Sequence, residues 1–157
     1  MPRTLDTRLS RLSDLNLFLV TLYGECRGEP VEGQIGVAHV IQNRVRAERW
    51  GASLRDVLSQ WAQFSALWPT LSGGLNYQAI LDLAGTLYRG ETLIGSQGTL
   101  VKQLHWIVSG IHEGLVLDNT YGCTHYFSAY IPKPWWAGKP GVRMATYGRH
   151  EFWAGIP

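Results

Sequence analysis

Apolar residues recur at intervals of three and four through much of the chain, which is the spacing of amphipathic helices. The pattern predicts a helix over 14–26 with Asp14 as its N-cap. Gly28 ends this element, and Pro30 precedes a second predicted helix over about 31–47. The apolar positions that carry these two patterns are Leu15, Phe18, Leu19 and Leu22, followed by Ile35, Ala38, Ile41 and Val45.

Weaker runs predict the elements that follow. They are a short helix from Ser53 to Gln60, a loop over 61–75, a helix from its cap Asn76 to Arg89 with Gly90 as its stop, and a helix through Leu100 and Ile111 closed by Gly114.

Beyond residue 118 the helical period is lost, and Gly, Pro and aromatic residues become frequent. Thr124–Phe127 and His150–Trp153 are predicted as short strands. We therefore expect a mainly α (α+β) fold, in which a helical domain carries an irregular, aromatic-rich C-terminal segment with a short β-hairpin. No linker, repeat or low-complexity tract divides the chain, so residues 1–157 are expected to form a single domain.

Composition places the chain among globular proteins. Apolar residues make up 45% of its 157 residues and charged residues 17%, which is enough to build a core. The net charge of +2 suits an anionic polymer such as a cell wall, but it is too small to indicate nucleic-acid binding.

The N-terminal region has some features of a signal peptide. Three arginines precede the apolar run Leu15–Leu22, but Asp14 and Asn16 interrupt the pattern and no small-residue cleavage site follows before Glu25. The run is also too short to span a bilayer. We therefore expect a core helix, no signal peptide and no stable membrane insertion.

Two carboxylates, Glu25 and Glu29, stand four residues apart where the first predicted helix ends and the second begins. An acid at such a junction can be partly desolvated, and a desolvated Glu can hold its proton near neutral pH. The pattern favours acid catalysis without deciding which of the two residues performs it.

Metal chemistry has little support in the sequence. Cys26 and Cys123 belong to no C-x-x-C pair, and no H-E-x-x-H occurs. His105 and His112 lie seven apart on one predicted helix face, where a solvated pair is a simpler interpretation than metal ligands. We expect neither a metal nor a cofactor.

Trp135 and Trp136 are adjacent in a predicted loop beside two prolines. Two neighbouring tryptophans in a loop cannot easily both face inward, so at least one is expected at the surface. Aromatic faces stack on sugar rings, bases or cations, although core filling is the commoner role of a single aromatic residue.

Four segments together resemble the SleB-type cell-wall hydrolases, a family of bacterial and phage peptidoglycan hydrolases. Tyr23–Pro30 resembles the family's "GEARGE" element, and Gly33–Val45 resembles the continuation "GQVAVAAVILNRV". The other three matches are Gln63-Phe64-Ser65 with "QFS", Asp118–Phe127 with "DPTGGATHYYNP", and Tyr147–Phe152 with "IGxHxFY". The resemblance covers about residues 14–153.

The resemblance implies a lysozyme-like fold that cleaves peptidoglycan glycan strands between N-acetylmuramic acid and N-acetylglucosamine by lytic transglycosylation. It also implies a monomer acting on the wall. Small size and the missing signal peptide favour a phage or prophage endolysin, made in the cytoplasm and released to the periplasm through a separate membrane pore.

Glu25 occupies the family's catalytic position, and the resemblance assigns it the role of general acid and then base. Glu29 either supplies a like charge that raises the pKa of Glu25 or stabilises the start of the second helix, and we favour the second role. Gln63 and Ser65 are candidates for hydrogen bonds to sugar hydroxyls or N-acetyl groups.

Thr124, His125 and Tyr126 match the family's "THY" element and are expected to line the cleft opposite Glu25. The Tyr126 hydroxyl is a candidate donor to the N-acetyl carbonyl. For His125, a packed and hydrogen-bonded role explains the sequence equally well. Asn43 and Arg44 are expected to be internal polar ties, and Asp118 to cap a turn.

The third segment departs from the family at several positions. Tyr121 replaces a frequent Gly, Asn119 replaces Pro, and Ser128-Ala129 replaces "NP", which affects the shape of the loop and its choice of substrate. Cys26 and Cys123 both stand where the family has Ala. They are either two buried small residues or neighbours able to form a disulfide in an oxidising compartment.

Alternatives of other kinds remain open on the sequence alone. One is a hydrolytic muramidase that uses a second carboxylate. Another is a non-catalytic peptidoglycan-binding module built on the aromatic segment. A zinc amidase is the least supported, because no His/Glu spacing suits it.

Overall fold

A computed structural model describes residues 3–157. Helices occupy most of the chain up to residue 112, and three short strands follow. The helices are α1 Thr7–Ser10, α2 Asp14–Cys26, α3 Val31–Ala47, α4 Leu54–Ser59, α5 Pro69–Ser72, α6 Gly74–Tyr88 and α7 Gly95–His112, with a 3₁₀ turn at Ser65–Leu67 before α5. The strands are β1 His125–Ser128, β2 Val142–Tyr147 and β3 His150–Ala154.

The core forms around α2, whose side chains from Leu17 to Tyr23 are all buried. It contacts α3, α4, α6 and α7, so apolar residues surround it on nearly every side. Burial of this one helix therefore organises the helical body. Glu25 lies at its C-terminal end, where the helix reaches the surface of that body.

The three strands form one antiparallel sheet in the order β1-β3-β2. Tyr126 pairs with Phe152 between β1 and β3, and a bulge between Arg143 and Ala145 interrupts the β2–β3 register. Phe152 is fully buried and packs on α3 at Gly36, where an added Cβ would lie 2.6 Å from its ring. The sheet is thus fixed against the helix that follows the Glu25 junction.

A second, smaller apolar cluster covers the opposite face of the sheet. It consists of Phe127, Ala137, Trp153 and Ile156, with Trp136 packed against it. Trp135 is 96% exposed, which confirms that the two adjacent tryptophans do not both face inward.

The observed architecture confirms the predicted mainly α (α+β) class. The predicted bounds of α2 and α3 are correct, and Ser53 caps α4 as expected by accepting a hydrogen bond from the Asp56 amide. The segment 61–75, predicted as a loop, contains the 3₁₀ turn and α5. The elements α1 and β2 were not predicted.

Two predicted helix caps are wrong. Ser13, not Asp14, accepts a hydrogen bond from the Asn16 amide and caps α2, because the helix already begins at Asp14. Helix α6 begins earlier than expected, after Gly73, so Asn76 lies inside its first turn. The Asn76 side chain instead binds the Arg27 guanidinium and the Ser72 hydroxyl.

Within residues 3–157, no helix is both long and apolar enough to cross a membrane.

Candidate active site

The carboxyl group of Glu25 is held by three donors from two parts of the chain. The Ala66 amide donates to Oε1 at 2.9 Å, and the Ser65 hydroxyl lies 3.4 Å from the same oxygen. The Tyr126 hydroxyl donates to Oε2 at 3.0 Å. Both oxygens are therefore oriented by the protein before any substrate binds.

A glycine allows the 3₁₀ turn to reach Glu25. A Cβ at Gly24 would lie 2.5 Å from both Ala66 Cβ and the Ile80 side chain, so only glycine lets the turn pack directly on α2. That close approach brings the Ala66 amide within hydrogen-bond distance of the carboxyl group one residue further along the helix.

Burial raises the pKa of the Glu25 carboxyl above its ordinary value. The hydrogen bonds from Ala66, Tyr126 and Ser65 stabilise the carboxylate and oppose part of this effect. Burial also raises the pKa of Tyr126 well above its usual range, and the nearby charge of Glu25 adds to it, so the phenol remains a proton donor. The pair therefore combines a protonatable acid with a neutral hydroxyl.

Glu25 lies in the wall of an open cleft of about 430 Å³ that separates the helical body from the sheet. The lining is mixed polar and aromatic. Besides Glu25 it comprises Arg44, Ala62, Gln63, Ser65, Tyr126, Phe127, Ser128, Ile131, Pro134, Trp136 and His150. Glu25 is the one carboxyl group among these described residues.

Arg44 connects the two walls of the cleft through hydrogen bonds to each of them. Its Nε donates to the Thr124 carbonyl at 2.7 Å and its Nη1 to the Gln63 side chain at 2.6 Å, while its guanidinium stacks over Trp50. Burial lowers the pKa of Arg44 to about 10, which leaves it charged at neutral pH. The internal tie predicted for Arg44 is present, and the residue also contributes to the cleft lining.

Of the predicted site residues, the structure brings Gln63, Ser65 and Tyr126 into the cleft with Glu25. Phe64, between the first two, is fully buried in the core. The Tyr126 hydroxyl differs from expectation in its partner, since it binds Glu25 itself and is not left free for a substrate carbonyl.

Two residues of the predicted "THY" element, Thr124 and His125, lie outside the cleft lining. Thr124 reaches the site only through its carbonyl, which Arg44 binds. The His125 ring packs between Trp50 and Trp136, and burial lowers its pKa to about 4, so it is a packed, neutral residue. Alternation along β1 explains the difference, because Tyr126 faces the helices and His125 faces the opposite side.

Glu29 also lies outside the cleft lining. Its carboxylate accepts hydrogen bonds from the Arg149 amide and from Arg149 Nε, both at 3.1 Å. This ion pair ties the β2–β3 turn to the start of α3. The charge of Glu29 is not among those that raise the pKa of Glu25. The role that we favoured for Glu29, stabilising the start of α3, stays a prediction, and the ion pair with Arg149 was not predicted.

The sequence interpretation missed His150 and Trp136 as cleft residues. His150 is buried, its ring lies edge-on to Tyr126 at 5.1 Å, and burial lowers its pKa. The signal for His150 was its place in the fourth matching segment, and for Trp136 its place in the Trp135-Trp136 loop.

The third segment folds around Asp118. Its carboxylate accepts from the Thr120 amide and hydroxyl, the Gly122 amide and the Asn43 side chain, which makes it the expected turn cap. Burial disfavours the charged form of Asp118, but these hydrogen bonds outweigh it and hold its pKa below the ordinary value. Asn43, bound also to the Cys123 carbonyl, is the predicted internal tie.

Cys26 and Cys123 are buried free thiols. Each donates to a backbone carbonyl of its own segment, Cys26 to Leu22 and Cys123 to Thr120. This agrees with the interpretation of two small buried residues, and the structure contains no bridge between them. Across residues 3–157, no three His, Cys, Asp or Glu side chains gather as a metal site, and His105 and His112 are exposed.

Glu25 thus presents a partly buried carboxyl group with a raised pKa in the wall of an open polar cleft, which makes it a candidate functional residue. The chain belongs to the Cell Wall Hydrolase family, whose pattern matches residues 28–153. Glu25 lies just before this matched region. Membership confirms the prediction of an enzyme.

Two solved structures share the fold. The catalytic domain of the Bacillus cereus SleB protein aligns with a TM-score of 0.57 and 22% identity over 97% of this chain and 94% of that one. The catalytic domain of the germination-specific lytic transglycosylase SleB from Bacillus anthracis aligns with a TM-score of 0.56 and 21% identity, over 97% and 98% of the two chains.

Two curated proteins are similar over a shorter stretch. The spore cortex-lytic enzymes of Bacillus subtilis (strain 168) and Oceanobacillus iheyensis are each 38% identical over 55 residues, or 35% of this chain. That stretch is 18% of the first relative and 20% of the second.

Proposed function

We propose that this protein is a peptidoglycan lytic transglycosylase that cleaves glycan strands between N-acetylmuramic acid and N-acetylglucosamine, with Glu25 as its acid and base. The observation that carries the proposal is the buried Glu25 carboxyl group, its pKa raised, as the one carboxyl among the described residues of the cleft lining. The Bacillus anthracis relative is a germination-specific lytic transglycosylase, which supports the same reaction here.

The proposed reaction needs a single proton carrier. Protonated Glu25 donates its proton to the glycosidic oxygen as the bond from that oxygen to the muramyl anomeric carbon breaks. The resulting carboxylate then accepts the proton of the muramyl 6-hydroxyl as that oxygen bonds to the anomeric carbon. The products are a free 4-hydroxyl end and a 1,6-anhydromuramyl end, no water is consumed, and Glu25 regains its proton.

The surroundings of Glu25 suit both halves of this cycle. Burial favours the neutral acid at the start, and the donors at Ala66, Ser65 and Tyr126 stabilise the carboxylate that forms in between. Because these donors are fixed before the reaction, they need no reorganisation when the charge appears.

Hydrolysis by a lysozyme-type mechanism is the main alternative. It uses a second carboxylate, either as a nucleophile or to activate a water. The described cleft lining offers no second acid for that purpose, which favours internal attack by the 6-hydroxyl.

The test compares the wild-type protein with Glu25→Gln on purified peptidoglycan. We expect Glu25→Gln to lose about 10²- to 10⁴-fold in cleavage rate, because the amide cannot donate the acid proton. Glu32→Gln is the matched control, since Glu32 is an exposed acid on α3 outside the cleft, and it is expected to keep its rate.

Mass spectrometry of the released muropeptides identifies the reaction. Anhydromuramyl ends, lighter by one water than reducing ends, support transglycosylation, and reducing ends alone would establish hydrolysis. Equal wall lysis by Glu25→Gln and the wild type would overturn the assignment of Glu25. Binding to the wall without cleavage by either protein would favour a binding module. The route to the wall, release from the cytoplasm in the manner of an endolysin, stays a prediction.

A further inference from the structure

The cleft beside Glu25 continues across the outer face of the sheet. Phe127 and Ile131 line both the cleft and an adjoining depression of about 440 Å³. This depression is also lined by Lys133, Arg143, Glu151 and Trp153. We call this depression the outer groove. Since the two cavities share a wall, a strand held at Glu25 has parts that can reach the outer groove.

Positive charge exceeds negative charge in the outer groove. Lys133 Nζ lies 5.5 Å from the centroid of the Trp153 ring, without a carboxylate partner among the described residues. Arg143 is paired with Glu151 at 3.6 Å, and the Arg143 side chain is still mostly exposed. Lys139 lines the next depression along the same face, which shares Arg143 and Trp153 with the outer groove. Across these two depressions, Glu151 is thus the one acid among the described lining residues, beside the cations Lys133, Arg143 and Lys139.

Trp153 supplies an aromatic surface to the outer groove. Its side chain is only 8% exposed, and Lys133 Nζ lies over its ring. Lysine and arginine at one surface favour a ligand that carries carboxylate oxygens.

We propose that the outer groove binds the free carboxylates of the short peptides that the glycan strand carries, and so selects peptide-bearing strands. This rests on the proposed function, because it takes the strand at Glu25 to be peptidoglycan. The N-acetyl sugars are uncharged, and the lactyl carboxyl of a substituted muramic acid is used in its amide bond to the peptide. The peptide carboxylates are therefore the anionic part of the strand near the cleaved bond.

The experiment measures cleavage of two forms of one purified muropeptide oligomer, with peptide carboxylates free or converted to neutral amides by carbodiimide coupling. We expect the wild type to have a KM about tenfold lower for the free form, with similar kcat, at low ionic strength. Lys133→Glu should abolish this preference, and Lys133→Gln should reduce it about threefold. Lys102→Glu is the matched control on α7 and should preserve it.

The KM values of the Lys133 variants for the two oligomers show whether the outer groove binds carboxylates. Loss of the preference in Lys133→Glu, with cleavage of the amidated oligomer unchanged, supports carboxylate binding at the outer groove. An equal rise in KM for both forms, or an unchanged preference, overturns it. The thermal unfolding of each variant establishes that it is folded, and Lys133→Gln provides a second, milder variant at the same site.

Failure of the proposed function gives a different result. Binding of both oligomers to Glu25→Gln, measured by calorimetry, reports the preference without any chemistry. If Glu25→Gln discriminates between the oligomers but no anhydro ends form with the wild type, the proposed reaction fails and the outer groove stands. If anhydro ends form but neither protein discriminates, the inference about the outer groove fails alone.

Discussion

At the scale of single residues, the proposed chemistry depends on the hydrogen bond that the Tyr126 hydroxyl donates to Glu25. The Tyr126 hydroxyl stabilises the charged form of Glu25, so it holds the pKa of the acid below the level that burial alone would set. Ala66 acts in the same direction through its backbone and cannot be removed by a side-chain change. Tyr126 and Ser65 are therefore the donors that substitution can remove, and the Tyr126 hydroxyl is the closer, at 3.0 Å against 3.4 Å.

Tyr126→Phe is expected to raise the pKa of Glu25 further, because it removes a donor to the carboxylate and leaves the burial unchanged. Activity requires the protonated acid, so the fall in rate at alkaline pH should move to higher pH. A pH profile of kcat/KM on soluble muropeptide oligomers measures this shift. Tyr88→Phe is the control, because Tyr88 is exposed on α6 and its change should leave the pH profile where it is. If the fall in rate at alkaline pH moved to lower pH in Tyr126→Phe, the assignment of Tyr126 as a donor that stabilises the Glu25 carboxylate would be contradicted.

The sequence located Glu25 at a helix junction but did not identify its donors. The Glu25 signal is local, since an apolar run that ends in an acid can be read from consecutive residues. The Tyr126 contact joins residues 101 positions apart and depends on how the sheet packs against α2 and α3. Tyr121 stands where the family often has glycine, and the structure gives the physical reason for that glycine. Tyr121 adopts φ 58°, a left-handed conformation that glycine adopts without strain.

At the scale of elements, the strong helical periods and the strands β1 and β3 were predictable, and strand β2 was not. The bounds of α2 and α3 follow from long apolar periods bounded by Gly28 and Pro30. Strand β2 gave no such signal, because most of its side chains are exposed and the bulge between Arg143 and Ala145 breaks the alternation. The strand is defined by pairing with β3, which is a tertiary contact and not a local preference.

Gly36→Ala tests the contact that fixes the sheet on α3. In an open helix this change is stabilising, since alanine has the higher helix propensity. At Gly36 the added methyl group would lie 2.6 Å from the Phe152 ring, so the sheet must move and unfolding free energy should fall by about 1–3 kcal/mol. Because Phe152 pairs with Tyr126, cleavage should fall as well.

Gly74→Ala is the matched control for this experiment. Gly74 lies at the start of α6 and has no atom within 4 Å of the position of an added Cβ. We expect Gly74→Ala to retain its activity and to be as stable as the wild type or slightly more so. Urea denaturation of both variants measures the difference, and a Gly36→Ala protein as stable as Gly74→Ala would show that the Phe152 contact is not tight.

At the scale of the whole molecule, the cleft arises where the helical body meets the sheet. The helices supply Glu25 and Arg44, the loop between α4 and α5 supplies Gln63 and Ser65, and the C-terminal segment supplies Tyr126 and His150. The motif segments indicated that these parts belong to one site. The separation of Tyr126 from His125, and of Glu29 from Glu25, required the packed structure, because neighbours in sequence face different surroundings.

The buried acid also links the stability of the whole protein to pH. The folded-state pKa of Glu25 is raised above the ordinary value of 4.5, so between these two values the folded protein retains a proton that the unfolded chain has lost. The unfolding free energy contributed by this group therefore falls as pH rises through that interval. The raised pKa that the proposed mechanism requires of Glu25 therefore lowers stability at pH values above the ordinary pKa of the group.

Glu25→Gln should remove this dependence, because the amide is neutral at every pH and its oxygen can still accept from the Ala66 amide. At about pH 4 the variant and the wild type should unfold at similar urea concentrations, since the wild-type acid is largely protonated there in both states. As pH rises, the variant should become progressively more stable than the wild type, until the folded-state pKa is passed. Glu32→Gln should show no such trend, and a Glu25→Gln variant that loses stability relative to the wild type with rising pH would mean that Glu25 is charged in the folded protein.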